Sequence, residues 1–199
     1  MTDAYNDGQW QPNTKGYNVR SGYDWLRPHQ IKPWWYKTVW NSWNIPKHSI
    51  ITWLIMHNGM NTRENLYRFG CCTSDACCIC ENALETHSHL FFDCDYSKAI
   101  VSLIQDWCGV CISLSGAMTG GYGNGGFKLK EHVYAIILNA CICHIWAQRN
   151  SARINGTLMV TSLVVQKITE EVRQRIKFKC NAKVSRQEEI WLGQLGIKV

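Results

Sequence analysis

No segment of the sequence is apolar over enough residues to cross a bilayer as a helix. The longest apolar stretch, residues 133–147, is interrupted by Asn139 and His144 and falls short of the roughly 20 residues that a membrane helix needs. The N-terminus also lacks the basic start and the apolar run of about 7–15 residues of a secretory signal. We therefore expect a protein without membrane association, not secreted, in a reducing intracellular compartment, the nucleus included.

Paired aspartates of the kind that hold catalytic metal ions in polymerases are also missing. Reactions that use two metal ions, such as polymerisation and nuclease cleavage, need such acidic clusters. The chain has 199 residues, enough for one domain or two small ones. With 46% hydrophobic and 18% charged residues, it has the composition of a folded protein. We expect a folded protein that is not an enzyme.

Positive charge is modest and unevenly distributed. The formal net charge is +6 and the pI is near 8.8, which is below that of a dedicated nucleic-acid binder. Residues 15–47 hold six lysines and arginines against Asp24 alone, and residues 173–186 hold six with no acid. Residues 70–97 hold five acidic residues and no lysine or arginine. Any nucleic acid is therefore expected to contact residues 15–47 and not the acidic middle of the chain.

Tryptophans alternate with basic residues between positions 25 and 43. Such a mixture can stack bases and contact phosphates. It is equally typical of the aromatic half of a small core with solvated lysines at its edge. On the first interpretation, the candidate nucleic-acid contacts are Arg27, Lys32, Trp34, Trp35 and Lys37. The basic residues of 173–186 indicate a solvated helix flank.

Helical spacing predicts three short helices in the first half of the chain. The first is amphipathic and begins at Pro46, and its apolar face consists of Ile50, Trp53, Leu54 and His57. Asn61 and Glu64 have the form of a capping box ahead of a second helix over 62–69, which ends at Gly70. The third helix ends at Gly109 and is marked by Ala99, Ile100, Leu103, Ile104 and Trp107.

Two longer helices are predicted in the second half. The first carries a sustained apolar stripe made of Val133, Ile136, Ile137, Ala140, Cys141 and His144. The second carries a ladder with four-residue spacing made of Val160, Val164, Ile168, Val172 and Ile176. Glu171 and Arg175 are spaced as a surface ion pair on this helix. The fold class is therefore mostly α.

Glycine and serine concentrate in residues 111–127, which predicts a linker. Gly121, Gly123 and Gly126 match a dinucleotide-binding pattern in form. No hydrophobic strand leads into them, and any glycine run produces this pattern, so we do not assign it that function.

Cysteine is abundant in one polar segment. Six of the eleven cysteines fall within 24 residues, and Cys77, Cys80, His89 and Cys94 form the pattern C-x2-C-x8-H-x4-C. Zinc prefers thiolate and imidazole ligands, and four protein ligands leave no open position, which is typical of a structural site. Free cysteines can instead be small buried apolar residues, but the polar surroundings do not favour a packed core here. We predict one structural zinc ion.

Spacing alone leaves the ligand set open. His87 and His89 would lie on the same side of an extended segment, and Cys78 is likewise an alternative to Cys77. Cys141 and His144 lie one helical turn apart and could share a second metal ion, although their place on the apolar stripe favours core packing.

A set of landmarks in residues 17–107 resembles the reverse transcriptase zinc-binding domain of plant non-LTR (LINE-type) retroelements. In chain order they are Tyr17-Asn18-Val19-Arg20-Ser21-Gly22-Tyr23, Val39-Trp40, Ile45-Pro46-Lys47, Trp53-Leu54, Thr62-Arg63-Glu64-Asn65-Leu66, Cys77 with Cys80, Glu85, and His89-Leu90-Phe91-Phe92 with Cys94. Ile145-Trp146 and Arg149-Asn150 resemble the segment that follows in these elements.

This resemblance implies a ligand set and a context. The histidine before Leu-Phe-Phe is the ligand in that family, which implies Cys77, Cys80, His89 and Cys94 as the zinc ligands. It also implies a retroelement-derived module, a tail fragment or stand-alone derivative, without polymerase, nuclease or ribonuclease H parts. RNA or DNA and a neighbouring reverse transcriptase are the implied partners. The alternative is a protein-interaction or structural scaffold without nucleic-acid affinity.

The domain organisation combines these expectations. Residues 1–16 are predicted to be a disordered leader and residues 17–110 the zinc-binding domain, with short helices around one Cys3His zinc site. The linker, 111–127, then leads to a helical C-terminal region, 128–199.

Overall fold

The computed structural model describes residues 5–6, 9–10, 33, 35–109, 129–180 and 184–198. The chain divides into two compact units, Met1–Pro33 and Trp34–Val199. In the first unit, strands β1 (Tyr5–Asn6) and β2 (Gln9–Trp10) pair in antiparallel fashion within the predicted leader. The remaining leader residues and the predicted linker, 111–127, lie outside the described residues. The predicted domain boundaries stay predictions.

The described part of the second unit is built from helices. They are α1 (Tyr36–Val39), α2 (Pro46–Met56), α3 (Arg63–Arg68), α4 (Asp95–Cys108), α5 (Leu129–Asn155), α6 (Thr161–Lys179) and α7 (Arg186–Gln194), with a π-helical turn, His89–Asp93, before α4. The prediction of a mostly α fold around a cysteine and histidine cluster is confirmed. Within the described ranges, none of these helices combines the length and the apolar composition of a membrane span.

Helix α5 lies at the centre of this unit. It packs against α6 and α2 and also contacts α1 and α4, while α4 packs against α6 and the π-helical turn. The apolar residues of its predicted stripe are buried, as are many residues between them. A helix that is apolar on most sides is stable only when neighbours cover it, which is the position that α5 occupies. The resulting core extends from α2 through the cysteine-rich segment to α7.

Helix α2 begins at Pro46 as predicted but buries a different face from the one predicted. Ile50 is 50% exposed and Trp53 is 37% exposed, whereas the buried residues are His48, Ser49, Thr52 and Ile55. Small hydroxyl side chains allow a close approach to α5 and can bond within their own helix. The Thr52 hydroxyl, for example, donates to the His48 carbonyl at 3.0 Å. The predicted apolar face of α2 is therefore wrong at Ile50, Trp53 and His57, while Leu54 is half-buried and packs against the core.

The ends of α3 and α4 follow local sequence signals closely. Thr62, one residue after the predicted cap, is the N-cap of α3, and its hydroxyl accepts a hydrogen bond from the Asn65 N–H at 3.5 Å. Gly70 follows α3 at a φ of +69°, and Gly109 ends α4 at +66°. Both glycines adopt the left-handed conformation that commonly ends a helix, as predicted.

Helix α6 uses its predicted ladder but not its predicted surface ion pair. Val164, Ile168, Val172 and Ile176 are fully buried, while Val160 precedes the helix and is 61% exposed. The guanidinium of Arg175 donates to the carbonyls of Trp43 and Asn44 at 2.7 Å each. The Glu171 carboxylate meets two histidines of other helices. The predicted Glu171 and Arg175 pair is wrong because tertiary partners compete for both side chains.

Candidate metal centre

Cys77 and Cys80 lie on a tight loop closed by an antiparallel bridge between Ala76 and Leu84. Inside the loop, the Cys77 N–H donates to the Ala83 carbonyl at 2.8 Å, and the Cys77 Sγ accepts from the Ile79 N–H at 3.5 Å. A backbone N–H directed at a ligating sulfur stabilises its thiolate form. Because two residues separate Cys77 from Cys80 on this tight loop, both sulfurs can lie on the same side of one turn.

His89 and Cys94 are positioned by the π-helical turn. The Cys94 N–H donates to the His89 carbonyl, five residues earlier, at 2.7 Å. A π turn is wider than an α turn, so residues five apart come round toward the same side, and such turns often occur at functional sites. The Thr86 hydroxyl accepts from the His89 N–H at 2.9 Å and fixes the start of the turn. The four residues between His89 and Cys94 in the sequence pattern therefore match the span of this π-helical turn.

The ligand atoms of Cys77, Cys80, His89 and Cys94 all lie within 4.8 Å of one another. The Cys80 Sγ is 3.2 Å from the His89 Nε2. In tetrahedral zinc sites, with bonds of about 2.0–2.3 Å, neighbouring ligand atoms are about 3.3–3.8 Å apart. Cys77 and Cys94 are fully buried, and all four side chains converge without a disulfide. The cluster fits one zinc ion, which would be held by three sulfurs and one imidazole nitrogen and would stabilise the fold.

The pKa values of two cysteines in the cluster are shifted in opposite directions. A hydrogen bond from Cys77, together with the N–H groups of Tyr96 and Ser97, lowers the pKa of Cys94. The same hydrogen bond and then burial raise the pKa of Cys77. Cys94 is the N-cap of α4, where the helix dipole favours a negative sulfur. The N-terminus of α4 thus supports one thiolate of the metal site.

The neighbouring candidates lie outside this cluster. His87 hydrogen-bonds the backbone of Met60, and burial lowers its pKa. Its Nε2 atom is buried without a hydrogen-bond partner among the described residues. Burial raises the pKa of the Cys78 thiol to about 11, and the Cys78 N–H donates to a Glu85 carboxylate oxygen at 2.9 Å. The structure therefore brings together the four residues implied by the resemblance and places His87 and Cys78 elsewhere.

A buried ion pair connects the metal loop to α5. The Arg149 Nε and Nη2 atoms donate to the Glu85 Oε1 at 2.8 and 2.6 Å, and both side chains are almost fully buried. The N–H groups of Arg63 and Cys78 also donate to this carboxylate. Burial alone would raise the pKa of Glu85, but the hydrogen bonds from Arg149 and these N–H groups outweigh it and lower the pKa.

The other contacts of Arg149 extend the same connection. Its Nη2 donates to the Asn61 carbonyl at 2.9 Å, and its guanidinium lies 4.7 Å from the centre of the Trp146 ring. Glu85 and Arg149 are separate landmarks in the sequence, and their contact was not predicted. The available signal was that an acidic residue and a basic residue stand among the landmarks of the resemblance.

The candidate nucleic-acid residues are described only in part. Trp35 is half-buried, with its ring edge-on to His57 at 5.4 Å, and Lys37 is exposed. Arg27, Lys32 and Trp34 lie outside the described residues. The structure therefore gives packing contacts for one of the five and solvent exposure for another.

Comparison with known proteins gives a match over the first half of the chain. Residues 17–100 match the family model described as zinc-binding in reverse transcriptase. This match supports a reverse transcriptase zinc-binding domain there. The searches of curated proteins and of solved structures gave no match. All four clustered ligands lie within the matched residues, whereas Arg149, which neutralises Glu85, lies outside them.

Proposed function

We propose that this chain is a retroelement-derived, zinc-organised module of plant LINE-type origin that associates with RNA or DNA beside a reverse transcriptase. One observation carries the proposal, namely a convergent Cys3His cluster inside residues that match a family described as zinc-binding in reverse transcriptase. The donor set supports a structural zinc ion, and the family description supports the reverse transcriptase context.

The module is proposed to have no catalytic activity of its own. Four protein ligands complete a tetrahedral zinc shell and leave no position for a reacting water molecule. The free energy of zinc binding then stabilises the fold. In this proposal the zinc ion shapes the domain, and the chemistry belongs to the neighbouring polymerase.

Charge distribution supports a contact surface outside the metal loop. The residues between 70 and 97 carry five acids and no lysine or arginine, and three thiolates exceed the two positive charges of a zinc ion. This segment repels phosphates. Residues 15–47 carry the opposite charge, and Lys37 and Lys47 are exposed within it. The proposed nucleic-acid surface is therefore the basic and aromatic segment, 15–47.

The test is a polynucleotide binding isotherm at two salt concentrations on zinc-loaded protein. Replacing Arg27, Lys32 and Lys37 with Ala should weaken binding to all sequences and reduce the salt slope by about 0.7–0.9 for each phosphate that is no longer neutralised. The matched control replaces Asp93 and Asp95 with Asn and should leave affinity unchanged or slightly higher. Weaker binding in the aspartate variant, with no change in the lysine and arginine variant, would contradict the proposed surface.

The alternative function, a protein-interaction scaffold without nucleic-acid affinity, is favoured by a different observation. Trp40, Ile50 and Trp53 expose a large share of their apolar surface near the start of the second unit, and Trp40 is 45% exposed. Exposed aromatic groups are common in protein interfaces. Absence of any salt-dependent retention on RNA and DNA, with zinc bound, would favour the scaffold.

A further inference from the structure

A second group of potential metal ligands lies among α2, α5 and α6. His48, His144 and Glu171 each come from a different helix, and their donor atoms lie within 4.8 Å of one another. They share no residue with the Cys3His cluster. The spacing of Cys141 and His144 allows a shared metal ion but favours core packing, and the Cys141 thiol is packed in the core, where burial raises its pKa to about 12. The residues that accompany His144 are far from it in sequence.

The carboxylate of Glu171 uses one oxygen for each histidine. Its Oε2 lies 2.7 Å from the His144 Nε2, and its Oε1 lies 3.4 Å from the His48 Nε2. The second distance is close to the separation of neighbouring ligand atoms in a tetrahedral zinc site, which is about 3.4 Å when the bonds are about 2.1 Å long. The imidazole rings are 6.1 Å apart at an angle of 72°. A small outward shift of His144 would place both nitrogens and a carboxylate oxygen around one ion.

His48 is a buried potential donor. It is buried in the first turn of α2, and its Nδ1 has no hydrogen-bond partner among the described residues. Burial, the largest effect, lowers the pKa of His48, while the Glu171 carboxylate opposes this shift. Lys47 and Arg175 add positive charge nearby, but the guanidinium of Arg175 is occupied by two backbone carbonyls.

Two of the three groups, His144 and Glu171, border an open cleft of about 550 Å³ between α5 and α6, whereas His48 is buried. His144 and Glu171 line this cleft together with Met159, Gln166, Glu170 and Gln174. A metal ion bound by three protein ligands keeps a fourth position for water or another small ligand. Here that position can be reached from the cleft, in contrast to the closed Cys3His cluster.

We propose that His48, His144 and Glu171 form a second metal site, an open His2Glu site for a divalent transition metal ion such as Zn²⁺. Two imidazoles and one carboxylate suit borderline metal ions, and their three helices are held in place by the core. The site does not depend on the proposed nucleic-acid function. A bound ion would link α2, α5 and α6 at the point where the Glu171 carboxylate already joins them.

The test measures metal stoichiometry on the full chain in the presence of a slight excess of free Zn²⁺. The wild type should bind two ions, and Glu171→Gln should bind one, because the amide keeps the size of the side chain but is a poor metal ligand. Glu170→Gln is the matched control, since Glu170 is exposed on the same helix and lines the same cleft outside the triad. It should bind two. Cys80→Ser should lose the other ion, which separates failure of the Cys3His assignment from failure of this one.

Titration with Co²⁺ supplies a second readout on the wild type. The first equivalent should give thiolate-to-cobalt charge transfer in the near ultraviolet, and the second should add only d–d absorption. Affinity for the second equivalent should fall at least about tenfold in Glu171→Gln and His144→Ala, since loss of even an outer partner of a metal ligand costs about 10–100-fold. Wild-type binding of a single ion that gives thiolate absorption, or a second equivalent with thiolate absorption, would overturn the proposal whether or not the variants fold. Binding of a second equivalent of Co²⁺ with unchanged affinity in both Glu171→Gln and His144→Ala would also overturn the proposal.

Discussion

At the scale of single residues, the metal cluster depends on which donor atoms the local turns direct inward. Cys80 and His89 approach each other at 3.2 Å, whereas His87 contacts the Met60 backbone. Cys80→Ser should therefore lose the zinc ion and the local fold, because structural zinc contributes on the order of 10 kcal/mol to folding in zinc-finger peptides. His87→Ala should keep zinc. Metal analysis of the purified variants checks this, and the reverse result for His87 and His89 variants would contradict the ligand assignment.

A second residue-scale prediction concerns the buried ion pair. Arg149→Ala leaves the Glu85 carboxylate buried without its countercharge, so it should reduce the free energy of unfolding by about 3–5 kcal/mol. Denaturant unfolding in saturating zinc measures this. The matched control, Arg153→Ala, removes an exposed arginine from the same helix and should change stability by at most about 0.5 kcal/mol. Equal effects of the two substitutions would show that the pair contributes no specific stability.

At the scale of elements, α2 shows how packing selects one face of a helix. Ile50 and Trp53 lie outward, while Ser49, Thr52 and Ile55 face the core. Ile55→Ala should therefore cost about 2–5 kcal/mol, the usual range for a buried isoleucine. Ile50→Lys should change stability by at most about 0.5 kcal/mol, since Ile50 is half exposed. The midpoints of denaturant unfolding of the two variants test this prediction. A larger loss of stability from Ile50→Lys than from Ile55→Ala would contradict the observed buried face of α2.

At the scale of the whole molecule, the zinc loop and the C-terminal helices share one hydrophobic core. Cys77, Leu90 and Phe91 belong to the same buried cluster as residues of α5, α6 and α7. A fragment that ends at residue 110 contains all residues of the family match but lacks Arg149 and the helices that cover the loop. We expect this fragment not to fold cooperatively even with zinc. Circular dichroism and limited proteolysis against the full chain test this, and a protease-resistant, zinc-dependent fragment would contradict it.

Local features of this protein can be predicted from its amino-acid sequence. Helical periodicity predicted the buried stripes of α5 and α6, glycines predicted the ends of α3 and α4, and the four-ligand pattern lies within 18 residues. Each of these features depends on hydrogen bonds or ligand spacing between residues near one another in the chain. A single sequence displays such spacing directly.

Tertiary structure alone decided which distant residues meet. Glu85 pairs with Arg149 across 64 positions, and the second candidate metal site draws on three separate helices. The buried face of α2 and the partners of Arg175 are also set by neighbours and not by their own segment. Such choices depend on how helices pack and on which polar groups lose access to water together. The spacing of residues within one segment therefore does not predict which distant partners they contact.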